Sequence, residues 1–216
     1  FRKQLERELL PEVRHQYLRA MARWLHDEGT FSFFMALAAD VGRPGDERML
    51  GMLYMYEHGA NPRSDELTPI IERMSDEHPS RLLSYANAMR HEAFLPWLLS
   101  RAGPSVQEVR VGSTQWVLEA ITFQYDPSRE LVGYYAWWEW FKQNRDGNRE
   151  SWLADSIANL KDVVERSPTE GAALFDRAVY RWKDPLLQPH AKDLVRYPVL
   201  RKYVAEGSCT FDSDLR

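Results

Sequence analysis

Apolar residues recur along the chain at helical spacing. Leu10, Val13, Tyr17, Met21 and Trp24 fall three, four or seven apart, which predicts the buried face of a helix stopped by Gly29. Gly42, Pro44 and Gly45 mark a loop. Asp46 then stands where it could cap a helix carrying Met49, Leu53 and Tyr56, ending near Gly59 and Pro62. Pro69 and Pro79 bracket a short helix with Ile70, Ile71 and Met74, and another runs through Leu82, Leu83 and Ala86 to Met89.

The second half reads in the same way. Pro104, Ser105 and Glu108 form a break followed by a capping box, and Ser113 opens a helix bearing Trp116, Val117, Ala120 and Ile121. Asp126-Pro127 starts a further helix that Asp146-Gly147 ends. A clean stripe follows at Leu153, Ile157, Leu160 and Val164. Ser167-Pro168-Thr169-Glu170 is a second capping box, opening a helix with Ala172, Phe175, Val179 and Trp182, and Pro198 to Val204 is a last short helix. No segment alternates with period two and no internal repeat stands out. The expectation is an all-α protein forming a single domain over residues 1–216.

Composition narrows the partners more than the fold. With 44% hydrophobic and 28% charged residues, the 216-residue chain has the balance of a globular domain large enough to bury a core. The net charge is −4 with Lys and Arg dispersed among Asp and Glu, so there is no basic stripe to engage phosphates and no nucleic-acid partner is expected. No apolar run has the length of a membrane span, and the lone Cys209 excludes an internal disulfide framework. His91-Glu92 lacks the second histidine of a zinc motif, since position 95 is Leu95. The first residue is Phe1, without an initiator methionine, which raises the expectation of a fragment or a processed chain.

Several local strings carry a family resemblance. Leu25-His26-Asp27-Glu28-Gly29-Thr30-Phe31, His58-Gly59-Ala60-Asn61 and Leu83-Ser84-Tyr85-Ala86-Asn87 come first, with Leu67 to Met74 between the last two. Gly112-Ser113 with Val117-Leu118, Glu130-Leu131-Val132-Gly133, and Glu165-Arg166-Ser167 with Glu170-Gly171 follow. Leu186-Leu187-Gln188 and Pro198-Val199-Leu200-Arg201 with Val204 close the series. In this order, over most of the chain, they resemble the class I haem peroxidases, the ascorbate and cytochrome c peroxidase group. Two lengths depart from the family: the segment after Met89 is short, and that between Trp138 and Glu165 is long.

The resemblance implies a helical peroxidase-like fold with a distal-side half at about 1–112 and a proximal-side half at about 113–216. It also implies that the haem site has been lost. The position of the proximal iron ligand falls on Trp138, whose indole offers an N–H donor and no lone pair for iron. Its neighbours Ala136, Trp137, Glu139 and Trp140 supply no histidine either, so a register slip does not restore one. The proximal carboxylate position falls on Ala191, the proximal tryptophan on Ala172-Ala173, the distal arginine on Ala22 and the distal tryptophan on Leu25. Trp24 could occupy that last ring's volume from the adjacent position, whereas Arg23 is turned by about 100° from the arginine position. Remnants stand at His26 (acid–base histidine), Asn61 (its orienting amide) and Arg166 (a substrate-side arginine).

Read without their family roles, His26 is a buried hydrogen-bonded histidine, Asp27 and Glu28 are solvated, and Arg166 is a surface or salt-bridged side chain. In the aromatic run, Tyr134, Trp138 and Phe141 share one helical face, while Trp137 and Trp140 point away. Trp138 is expected to fill the space of the missing haem, and Trp140 is open to an interface role. The resulting expectation is a haem-free pseudoperoxidase, no cofactor or metal bound, acting as an accessory subunit. Its partner would be a related peroxidase-like protomer or a larger mitochondrial complex, with plastid and cytosol as other family locations. An alternative is a divergent peroxidase holding haem through an atypical ligand such as His26 or Met49, and a third is an unrelated helical interaction module.

Overall fold

The computed structural model of the chain describes residues 10–101, 111–124, 134–175 and 185–201. Among these residues every regular element is helical and no strand occurs, as the periodicity predicts. The chain divides into two compact units, 1–98 and 99–216.

The first unit is built from α1 (Pro11–Trp24), α2 (Glu28–Ala39), α3 (Gly45–Glu57), α4 (Ser64–Glu77) and α5 (Pro79–Met89). A short 3-10 turn, Glu92–Phe94, and the start of α6 (Leu95–Arg101) follow. Local rules explain most ends. Proline opens α1 and α5 at a position whose N–H has no helical partner, Asp27 caps α2 by accepting from Thr30 N at 2.7 Å, and α5 closes on Arg90 at φ 48°. His91, discounted as a zinc ligand, has a capping role: its Nδ1 accepts from Ala93 N at 3.1 Å.

Three expectations need correction. Gly29 does not end a helix; it lies in the first turn of α2, because Asp27 provides a new N-cap after α1 has already stopped at Trp24. Pro69 lies inside α4, which begins five residues earlier at Ser64, where Glu66 turns back to accept from Arg63 N at 2.9 Å. The buried face of α1 carries His15, Leu18 and Met21, while Leu10, Val13 and Trp24 are 61%, 37% and 69% exposed. A three-and-four spacing identifies an apolar face but not what lies opposite it.

What α1 packs against is α3, and the contact is polar at its centre. Asp46 is buried in the first turn of α3 rather than capping it. Its carboxylate accepts from Arg81 of α5 at 2.6 Å and faces His15 Nδ1 of α1 at 3.4 Å. Its backbone carbonyl accepts from the Tyr85 hydroxyl at 3.4 Å. Next to it, the buried Glu47 pairs with Arg14 of α1 at 2.8 Å and with Arg43 at 3.7 Å. Further along α3, Gly51 brings the helix against α2: a methyl group there would stand 2.8 Å from Phe34 O and 2.9 Å from Ala38 N.

The second unit contains α7 (Val111–Thr122), α8 (Tyr134–Asn144), α9 (Arg149–Arg166), α10 (Pro168–Leu174) and α11 (Gln188–Leu194). Two 3-10 turns, Pro185–Leu187 and Pro198–Leu200, flank α11. The predicted stripe of α9 is buried in full: Leu153, Ile157, Leu160 and Val164 join Phe175, Leu187 and Leu194 in one core. Asn148 caps α9 in a reciprocal pair with Ser151, each backbone N–H meeting the other's side chain at 3.0 Å. Arg149, buried at the first position of α9, donates to Ile121 O and Ala120 O at 3.3 Å each and covers the Phe123 ring at 4.7 Å. It thereby satisfies carbonyls at the end of α7 with a cation where the helix dipole favours one. The helix expected from Ser167-Pro168 forms, although the Ser167 side chain makes no capping bond. The expected features at Pro104, Ser105 and Glu108, at Asp126-Pro127, at Val179 and Trp182, at Val204 and at Cys209 lie outside the described residues.

Two outcomes test these contacts. Gly51→Ala should destabilise the protein by about 1–3 kcal/mol in denaturant unfolding, because backbone rather than a flexible side chain must yield. The second concerns His15, whose pKa burial lowers below the ordinary 6.5 against the pull of Asp46. The folded state therefore binds this proton later than the unfolded chain, so stability intact above about pH 6.5 is lost as the pH falls through that value. Burial raises the pKa of Glu47, with Arg43 opposing, and that acts in the other sense. A comparison with His15→Gln isolates the histidine. The wild-type unfolding midpoint should drop more than the variant's between about pH 7.5 and 5.5.

Candidate functional site

The conspicuous chemistry of the first unit lies where the end of α3 meets the loop between α1 and α2. His58 is the residue at which α3 ends, with φ −100° and ψ 20°. Its ring folds back onto Tyr54, one turn earlier, at a centroid distance of 4.1 Å and 26° between planes. Its Nδ1 lies 2.7 Å from the Tyr54 carbonyl oxygen. A carbonyl only accepts, so Nδ1 carries the hydrogen and Nε2 of the neutral ring presents a lone pair. Tyr54 is itself clamped, stacked on Phe34 of α2 at 4.3 Å and donating its hydroxyl to Leu25 O at 3.0 Å.

That bond to Leu25 places the neighbouring His26. Its Nδ1 lies 3.3 Å from His58 Nε2, with the rings 5.4 Å apart. Glu57 precedes His58, and loss of hydration there raises its pKa while His58 and His26 work to lower it. The result is two imidazoles on a framework of aromatic stacking, with a carboxylate in their field. Among the described residues, no group of three or more His, Cys, Asp and Glu is arranged to hold a metal ion.

The other positions singled out in the sequence are not gathered at this point. His26 is exposed rather than buried, because it sits in a loop at the surface; its hydrogen-bond partner is His58 and not Asn61, which is exposed as well. Ala22 and Leu25 are half-buried. Trp24 does not fill a buried volume: it projects to solvent with Arg23 over its ring at 5.2 Å. Met49 is fully buried in the core of the first unit. Arg166 is exposed and pairs with Asp162 at 2.6 Å, one turn earlier on α9. Ala173 is exposed on α10, and Ala191 falls in α11 with its side chain outside the described set.

The aromatic run of α8 is oriented opposite to expectation. Trp137 and Trp140 are the buried pair, 3% and 9% exposed, while Trp138 is only half-buried. Trp140 meets Trp152 of α9 edge-on at 5.2 Å and Trp137 at 6.1 Å, and Trp152 donates from its indole to Asn144 O at 3.3 Å. Trp140 is thus a core residue between α8 and α9, which removes it as an interface anchor. Trp138 contacts Phe141 edge-on at 5.9 Å. The side chain of Tyr134 lies outside the described set. Sequence reasoning singled out His26 and passed over His58 as a partner; both lay in strings already noted, but their meeting is a tertiary event.

Comparison with protein-family models, with curated proteins and with solved structures finds nothing that matches this chain. Among the described residues no helix is long and apolar enough to cross a membrane.

The inverted burial makes a direct prediction. Trp140→Ala should cost about 3–5 kcal/mol in chemical unfolding, since a large buried ring leaves a cavity. Trp138→Ala should cost clearly less, and equal losses would contradict the assignment of faces.

Proposed function

We propose that this chain is a haem-free, catalytically silent helical protein that works as a subunit in an assembly, its peroxidase-like strings being remnants of an ancestral haem site. The family reading rests on those strings alone. Within it, the ligand position is a tryptophan without a lone pair to offer iron, and the supporting positions are alanines. The positions of the distal arginine, the distal tryptophan and the proximal carboxylate, at Ala22, Leu25 and Ala191, have changed as well. By the same analogy, the partner would be a related peroxidase-like protomer or a larger mitochondrial complex.

The observation that carries the subunit role is the outer face of α1. Leu10, Val13 and Trp24 lie exposed within one sector of the helix, with Tyr17 half-buried between them. Large apolar side chains grouped on one face, with an aromatic at the end, have the composition of an interface centre. The adjoining sector, His15, Leu18 and Met21, is already used within the unit, so the apolar surface of α1 continues beyond the part that the unit buries.

The test has two parts that fail separately. The purified protein should show no Soret band and no pyridine haemochrome; stoichiometric haem would instead support an atypical ligand, for which exposed His26 is better placed than buried Met49. In light scattering of the native assembly, Leu10→Ser with Trp24→Ser should release the 25.3 kDa chain as a monomer of unchanged helicity. Retention of the double variant in the assembly would remove α1 as the contact.

A further inference from the structure

The His26–His58 pair has a geometry that a single shared proton does not require. The ring of His58 is fixed on two counts, by stacking on Tyr54 and by its Nδ1 contact with the Tyr54 carbonyl. Nδ1 held by a carbonyl with Nε2 presenting its lone pair is the arrangement in which histidines ligate metals. The backbone of His26 is fixed on both sides: Leu25 O accepts the Tyr54 hydroxyl, and the Asp27 carboxylate caps α2. Exposure of His26 leaves its Nε2 free to keep a proton in solvent, so its Nδ1 is available as a second donor atom.

The two nitrogens are 3.3 Å apart. Two imidazole nitrogens bound to one tetrahedral zinc ion at about 2.0–2.1 Å each are separated by about 3.3–3.4 Å, so an ion could replace the shared proton with little movement of either ring. We propose that His26 Nδ1 and His58 Nε2 form a two-imidazole site for a divalent transition-metal ion of zinc's chemistry, the remaining coordination positions being filled by water. Glu57 contributes charge rather than a bond: its carboxylate is within the electrostatic reach of both rings and favours a cation between them. The site lies wholly in the first unit and does not depend on the haem-free reading.

The experiment is calorimetric titration of the whole chain with Zn2+ near neutral pH. Cys209→Ser serves as background, so that its thiolate does not compete. One ion per chain should bind, and His26→Gln and His58→Gln should each weaken affinity by at least about tenfold, while His190→Gln leaves it unchanged. In long-range 1H–15N spectra the side chains of His26 and His58 should shift together on titration. Affinity should fall as the solution is made more acidic, because the ion must displace protons. Matching circular dichroism of metal-free wild type and variants separates lost binding from lost folding. Absence of saturable binding, or affinity unaffected by both glutamine variants, overturns the proposal.

Discussion

A buried carboxylate organises the first unit. A carboxylate removed from water is tolerated only among polar groups, and Asp46 meets them on two other helices: it accepts from Arg81 of α5 at 2.6 Å and faces His15 of α1 at 3.4 Å. Tyr85 adds a bond to its backbone carbonyl. Each partner comes from a different place in the chain, so the carboxylate is satisfied only when α1, α3 and α5 are correctly positioned. Apolar packing alone would allow α1 to present either of its apolar sectors, and the polar set allows one. This explains why His15 turns inward while Trp24, on a sequence face that looks more apolar, turns out.

The same α3 carries the consequences to its other end. Gly51 admits the backbone of α2 at close range, which brings Phe34 over Tyr54, and Tyr54 in turn positions His58 and anchors Leu25 beside His26. The imidazole pair is thus downstream of helix packing. In the second unit Arg149 has a role comparable to that of Asp46. It is a buried charge whose partners are the carbonyls at the end of α7 and the face of Phe123, and it sits at the first position of the helix whose stripe Leu153, Ile157, Leu160 and Val164 enters the core. The outward sector of α1 and the paired histidines are independent features, and the association and metal-binding proposals built on them stand or fall separately.

Legibility from sequence followed the range of the interaction responsible. The stripe Leu153, Ile157, Leu160 and Val164 and the start of α10 at Pro168 were readable, because period and proline act within a few residues. The start of α4 was not, since Pro69 is a louder signal than the reciprocal contact of Arg63 and Glu66. Of the site, His26 could be named, but its exposure and its partner could not. In α8 the split of the tryptophans into two faces was correct, while the choice of the buried face was inverted by the presence of Trp152 opposite.

By itself, then, the sequence determined that the chain is helical, where a few of its helices start, such as α5 at Pro79 and α10 at Pro168, and that no histidine stands within two residues of Trp138. These are properties of local spacing and of residue chemistry. Only the tertiary structure decided which sector of α1 and of α8 is buried, and that two histidines thirty-two residues apart meet at 3.3 Å. Burial depends on what lies opposite a face, and a contact across a loop depends on how two helices pack, neither of which is written in the period of one segment.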